Sequence, residues 1–119
     1  MNFFSLFKRS LIYNFKKKIS IDDDNININS LDKLFYHYGS DKAEIFKKTE
    51  NNGHGYSKFY KQKLEKFQNH KINILEIGSF AGASAAAFAK YLPKSNIFCF
   101  DINISNFEYK SKKIHVFGL

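Results

Sequence analysis

Residues 72–101 limit what this chain can fold into more than any other stretch. "INILEI" (72–77) is a short apolar run rich in β-branched residues. Residues 83–92 have helical composition and stop at Pro93, and "NIFCFD" (96–101) is a second apolar run. Two such strands cannot be joined by a tight hairpin across an intervening helix, so the pattern predicts a βαβ unit with parallel strands. A third apolar run, "KIHVFGL" (113–119), follows. The expected class is therefore α/β, with a parallel sheet preceded by helices.

The 119 residues suffice for one small domain, and at 44% hydrophobic and 18% aromatic residues the chain can fill a core. Ser30 is placed to cap a short helix, "LDKLFYHY", that Gly39 ends. Residues 39–56 read mostly as loop, and Ser57 is expected to cap a second helix running to about Phe67. Upstream, "SIDDDNININS" (20–30) reads as a polar linker. Its Asp22–Asp24 run lacks the glycine and closing glutamate of a calcium loop. Residues 3–18 are expected to form an amphipathic helix with Phe3, Phe4, Leu6, Phe7, Leu11, Ile12 and Phe15 as its apolar stripe and lysines at its end. Such a helix fits an anionic membrane surface. The plainer expectation is that it covers a hydrophobic face of the domain or of a second subunit, which would make a homo-oligomer. The domain organisation expected is thus 1–29 as helix and linker, and 30–119 as the α/β unit.

The turn between the first strand and its helix, "EIGSFAGAS" (76–84), is where a ligand would sit, because open parallel sheets bind ligands beyond the carboxyl ends of their strands. Gly78 and Gly82 permit a tight turn and a close backbone approach. A dinucleotide fingerprint would need a second glycine where Phe80 stands, and the Gly-Lys-Ser/Thr of a P-loop is absent. Glu76 repels phosphate and attracts a cation, so a cofactor with an ammonium, a sulfonium and no phosphate, S-adenosylmethionine, suits the turn better. Asp101, at the end of the next strand, is placed to accept from both hydroxyls of an adenosine ribose. The unit is read as the N-terminal part of a Rossmann-like sheet.

"LEIGSFAGAS" followed by "NIFCFDIN" resembles the cofactor-binding start of class I S-adenosylmethionine-dependent methyltransferases. The upstream words "YGSDK", "HGYSKFY" and "INILEIG" look most like the macrolide and sugar O-methyltransferase group, and the resemblance runs over roughly residues 34–118. It implies that Glu76, Gly78, Gly82 and Asp101 line the cofactor site, with Ser79, Phe80 and Ala81 along the turn. It implies a sugar hydroxyl, on a glycan or glycosylated small molecule, as acceptor. It also implies a larger sheet than the three strands legible here, the metal-binding acids and catalytic base lying on later strands. No catalytic or metal residue is therefore assigned, and the chain is expected to be a truncated domain, inactive alone, whose third strand forms an exposed edge.

Other positions stay open. Asp41, Lys42, His54 and Tyr56 belong either to a lid over the cofactor or to a solvated loop, and Ser84 either caps the helix or meets the ligand. His37, His70 and His115 lack metal-ligand spacing. The formal charge of +8 rests on scattered lysines with Arg9 as the one arginine, which argues against nucleic acid. A single cysteine, Cys99, no apolar run long enough to span a bilayer, and no secretory pattern point to the cytoplasm. The sequon at Asn103 carries no weight in that setting. Two readings compete: a dinucleotide-dependent oxidoreductase fragment, and a non-catalytic interaction or membrane-surface module built on residues 1–18.

Overall fold

The computed structural model describes residues 2–49 and 55–118. Its centre is a parallel sheet of β2 (Asn73–Ile77), β3 (Asn96–Asp101) and β5 (Ile114–Gly118), in the order β2–β3–β5. Helix α5 (Ala83–Tyr91) connects the first two. The sheet, its parallel sense and the crossover helix are those expected: a partial Rossmann-like α/β fold. Register aligns Ile74 with Ile97 and Ile114, and Glu76 with Cys99 and Val116. These residues share the face that α5 covers.

Small side chains let α5 approach closely. Ala85, Ala86, Ala87 and Ala89 are all fully buried, sandwiched between the sheet and helix α2 (Leu31–Tyr38). The inward residues of α2, Leu31, Leu34, Phe35 and Tyr38, recur at the helical interval. Phe35 meets Phe88 edge-to-face at 5.5 Å, and Tyr60 closes the aromatic cluster. The ends of α2 are as expected. Ser30 Oγ accepts from Lys33 N, and Gly39 at φ +78° closes the helix with Ser40 N bonding to Phe35 O.

Elsewhere tertiary partners override local reading. The loop of residues 39–56 contains a helix, α3 (Glu44–Thr49), because Asp32 on α2 accepts from Glu44 N at 2.8 Å and caps it from a distance. Ser57 does not cap α4 (Ser57–Leu64). It is the first helical residue, and its hydroxyl donates to the same Asp32 oxygen at 2.7 Å. A 3₁₀ turn, Glu65–Phe67, continues α4 to the residue expected. Since Asp32 Oδ1 ties three helices, Asp32→Ala is expected to cost about 2 kcal/mol, a lost cap plus a lost hydroxyl bond. Asp32→Asn, which keeps an acceptor there, should cost clearly less. Urea denaturation of the two variants measures the difference.

Residues 20–30 are not a free linker. Ile19–Ser20 (β1) pairs in parallel with Tyr109–Lys110 (β4), and Ile21 is buried beside them. Asp22 accepts from Ser111 Oγ and Lys112 N, while Asp24 accepts from Ile26 N and Tyr38 OH. Asp22 and Asp24 are thus spent on protein donors.

Helix α1 (Phe3–Phe15), capped by Asn2, ends three residues earlier than expected, at an extended Lys16. Of its expected apolar stripe only Leu6 turns toward the domain. Leu6, Arg9, Tyr13 and Lys16 face inward, and Phe4, Phe7, Leu11 and Phe15 face solvent. The second face of the sheet is also uncovered, which parallel sheets seldom tolerate. Leu75 and Ile77 are 62% and 76% exposed, beside stacked pairs Phe98–His115 and Phe100–Phe117. β5 is one edge of the sheet, as expected, and β2 is the other. No helix among the described residues is long and apolar enough to cross a membrane.

Candidate functional site

The turn after β2 is built from backbone that few residues tolerate. Gly78 and Gly82 both have positive φ, and so does Phe80, at +46°. Phe80 is held in this strained region by Asp101, whose Oδ2 accepts from Phe80 N at 2.8 Å. The other oxygen of Asp101 accepts from Asn103 N. Asp101 thus braces the turn from the neighbouring strand, leaving lone pairs on both oxygens for a ligand.

The two glycines serve different purposes. A Cβ on Gly78 would meet nothing within 4 Å, so that backbone lies open. A Cβ on Gly82 would lie 2.5–2.9 Å from three ring carbons of Phe107. Gly82 faces a buried phenyl ring, a packing reason for glycine that adds to the tight turn expected of it.

Glu76 sits beneath the turn. Its Oε1 accepts from Ser84 Oγ, and its Oε2 is buried without a hydrogen-bond partner. Ser84 does not cap α5, whose N-cap is Gly82: its hydroxyl is donated to Glu76 at the edge of the cleft. Burial pushes the Glu76 carboxyl above its usual range, while the Ser84 bond, the Lys42 ammonium and the nearby Ser79 hydroxyl, which itself donates to the Glu76 backbone carbonyl, oppose the shift. Burial likewise raises Tyr60, with the Glu76 charge adding to it, and pushes the Cys99 thiol up to about 12. Cys99 is a closed core residue and no nucleophile.

Above the turn lies a cleft of about 620 Å³. One wall is Gly78–Ala81 with Ala83 and Ser84, and the other is Gly39–Lys42 with Tyr56 and Tyr60. The "GSDK" word thus faces the glycine turn. A backbone bond from Tyr56 N to Lys42 O, 3.0 Å, ties the two ends of the intervening loop. Of the four loop residues singled out, Asp41, Lys42 and Tyr56 line the cleft, and His54 lies outside the described residues. Sequence reasoning missed Tyr60, which packs against the core from α4 and also lines the cleft. It also missed Ser40, which lines the cleft while 4% exposed.

The remaining candidates are elsewhere. His115 stacks on Phe98 with a ring nitrogen 3.3 Å from Asn96 Oδ1, His37 is 3.8 Å from Asp24, and His70 lies against Phe67. Among the described residues no three His, Cys, Asp or Glu side chains converge as metal ligands would. Asn103 spends its side-chain oxygen on Ser105 N and Oγ. A second hollow, of about 510 Å³, lies over Asn29–Asp32, Ser57 and Lys61, where Asp32 is already engaged twice.

No protein-family model matches this chain, and no curated protein matches it.

Proposed function

We propose that this chain is the S-adenosylmethionine-binding part of an O-methyltransferase acting on a sugar or a glycosylated small molecule. The observation that carries the reading is Glu76 Oε2, a buried carboxylate oxygen without a donor, beneath a glycine turn that opens into a cleft. A buried carboxylate in that position is costly unless a cation or a donor completes it. A phosphate-bearing cofactor would worsen the cost, whereas the ammonium end of S-adenosylmethionine would offset it, directly or through a water.

The residues fit that group in kind. Glu76 would hold the ammonium end, Gly78 would admit the ligand close to the backbone, and the spare lone pairs of Asp101 would take the ribose hydroxyls. The exposed ring of Phe80 lies along the turn between them. Bound there, S-adenosylmethionine supplies an electrophilic methyl group. The sugar acceptor rests on the "YGSDK" and "HGYSKFY" words, and Gly39–Lys42 of the first form a cleft wall.

Isothermal titration of the chain tests this reading. S-adenosylhomocysteine is expected to bind at least roughly tenfold more tightly than NAD, a difference of about 1.4 kcal/mol. Equal or tighter binding of NAD would favour the oxidoreductase reading, and binding of neither would remove the cofactor site. No residue here is assigned to the transfer step, so the 119-residue chain is expected to bind without turning over. Transfer of labelled methyl by the chain alone would overturn that half of the proposal.

A further inference from the structure

Helix α1 is mounted with its polar side on the protein. Arg9 Nη1 donates to Ile102 O at 2.8 Å, and Lys16 Nζ reaches Ser105 O and Asn106 O at 3.4 Å each. Tyr13 meets the Phe107 ring edge-to-face at 6.5 Å, and Lys18 Nζ lies 3.9 Å over the Tyr13 ring. These contacts orient the helix, and the face they leave outward is apolar. Phe4, Phe7, Leu11 and Phe15 are 76%, 55%, 40% and 86% exposed and recur at the helical interval, with Phe3 and Ile12 flanking them. A surface helix ordinarily buries such a stripe, and a contiguous exposed one marks an interaction site.

Charge decides between occupants. Residues 2–21 contain Lys8, Arg9, Lys16, Lys17 and Lys18 and no acid. Lys8 borders the apolar stripe and Lys17 follows its end, both exposed. A second copy packed here about a two-fold axis would bring like charges together, which disfavours association. A surface of anionic headgroups does the reverse, and lysine stems extend along it while aromatic and aliphatic side chains enter the acyl boundary. At about 1.5 Å per residue, thirteen residues span about 20 Å, short of the roughly 30 Å hydrocarbon core, so the helix would lie in the interface plane.

We propose that the outward face of α1 seats this protein on a bilayer surface carrying anionic headgroups. The site is separate from the cleft, and the inference does not rest on the cofactor reading.

The test is co-sedimentation of the full chain with phosphatidylcholine vesicles containing about one-third phosphatidylserine, and with phosphatidylcholine alone. Binding to the anionic vesicles is expected to exceed binding to the neutral ones at least roughly tenfold and to weaken as salt rises from about 0.05 M to about 0.5 M. Phe7→Ser/Phe15→Ser is expected to lower it roughly tenfold or more, Lys8→Glu/Lys17→Glu to abolish the preference for anionic vesicles, and Phe7→Leu/Phe15→Leu to retain binding. These side chains are exposed, so the melting temperature of each variant should stay near that of the parent, which shows that the fold is kept. Equal sedimentation with both vesicle types, or serine variants that bind as the parent does, would overturn the proposal. So would a dimer in analytical ultracentrifugation that dissolves on Phe7→Ser/Phe15→Ser without any vesicle binding by the parent.

Discussion

Gly82→Ala is expected to destabilise the fold by about 3 kcal/mol, lowering the melting temperature by roughly 10 °C or more. Two costs add at this position. Alanine at φ +83° loses about 1 kcal/mol against glycine, because a Cβ crowds the following carbonyl in the left-handed region. The new methyl also lands 2.5 Å from a carbon of the Phe107 ring, which is fully buried, in an interior where close packing resists displacement. Gly78→Ala is the control, since φ there is +80° but nothing lies within 4 Å of its added Cβ. It should pay only the conformational cost, about 1 kcal/mol. Phe107→Leu combined with Gly82→Ala should recover part of the loss, giving a favourable coupling in a double-mutant cycle. Equal destabilisation by the two glycine substitutions in urea titrations would show that the Phe107 contact is not what requires Gly82.

Glu76→Gln is expected to stabilise the protein without ligand and to weaken its binding of S-adenosylhomocysteine. Glutamine keeps an acceptor for Ser84 Oγ and removes a buried charge. The stability gain at neutral pH should be on the order of 1 kcal/mol, a rise in melting temperature of roughly 4–8 °C. Its pH dependence has a definite sign. The carboxyl is raised by burial, so its protonated form is favoured by the fold. That contribution is fully present below the unfolded pKa, about 4.3, and is lost as pH rises through the higher folded pKa. The advantage of the glutamine variant should therefore be small in acid and grow as pH rises through the folded pKa. Binding should fall roughly 10- to 100-fold, the worth of a charge-assisted hydrogen bond to an ammonium. A stabilised variant with unchanged affinity would mean that Glu76 takes no part in holding the ligand. A destabilised variant would mean that its charge is compensated within the protein.

Glu76 also illustrates how the site divides between sequence and structure. Its place at the end of an apolar strand, before a glycine turn, was visible from spacing alone. That its carboxylate is half satisfied by Ser84 was not, because Ser84 is the second residue of a helix and presents two equally reasonable local uses. Asp101 was legible as a strand-end acid, but its bonds to Phe80 N and Asn103 N depend on β2 and β3 lying side by side. Tyr60 lies on the face that packs into the core and reaches the cleft as well, and periodicity cannot separate those two roles.

By itself the sequence determined the local elements. β-branched runs, Ser30, Gly39 and Pro93 act within a few residues through φ/ψ preference and hydrogen bonding, so the three strands of the central sheet, α2 and α5 could be placed to within a residue or so. Tertiary structure decided whatever needed a distant partner: α3 capped by Asp32, β1 drawn into pairing with β4, Gly82 required by Phe107. It also decided which way α1 faces. A period of 3.6 marks an apolar stripe on a helix, but only the carbonyls of Ile102, Ser105 and Asn106, some ninety residues on, turn that stripe toward solvent.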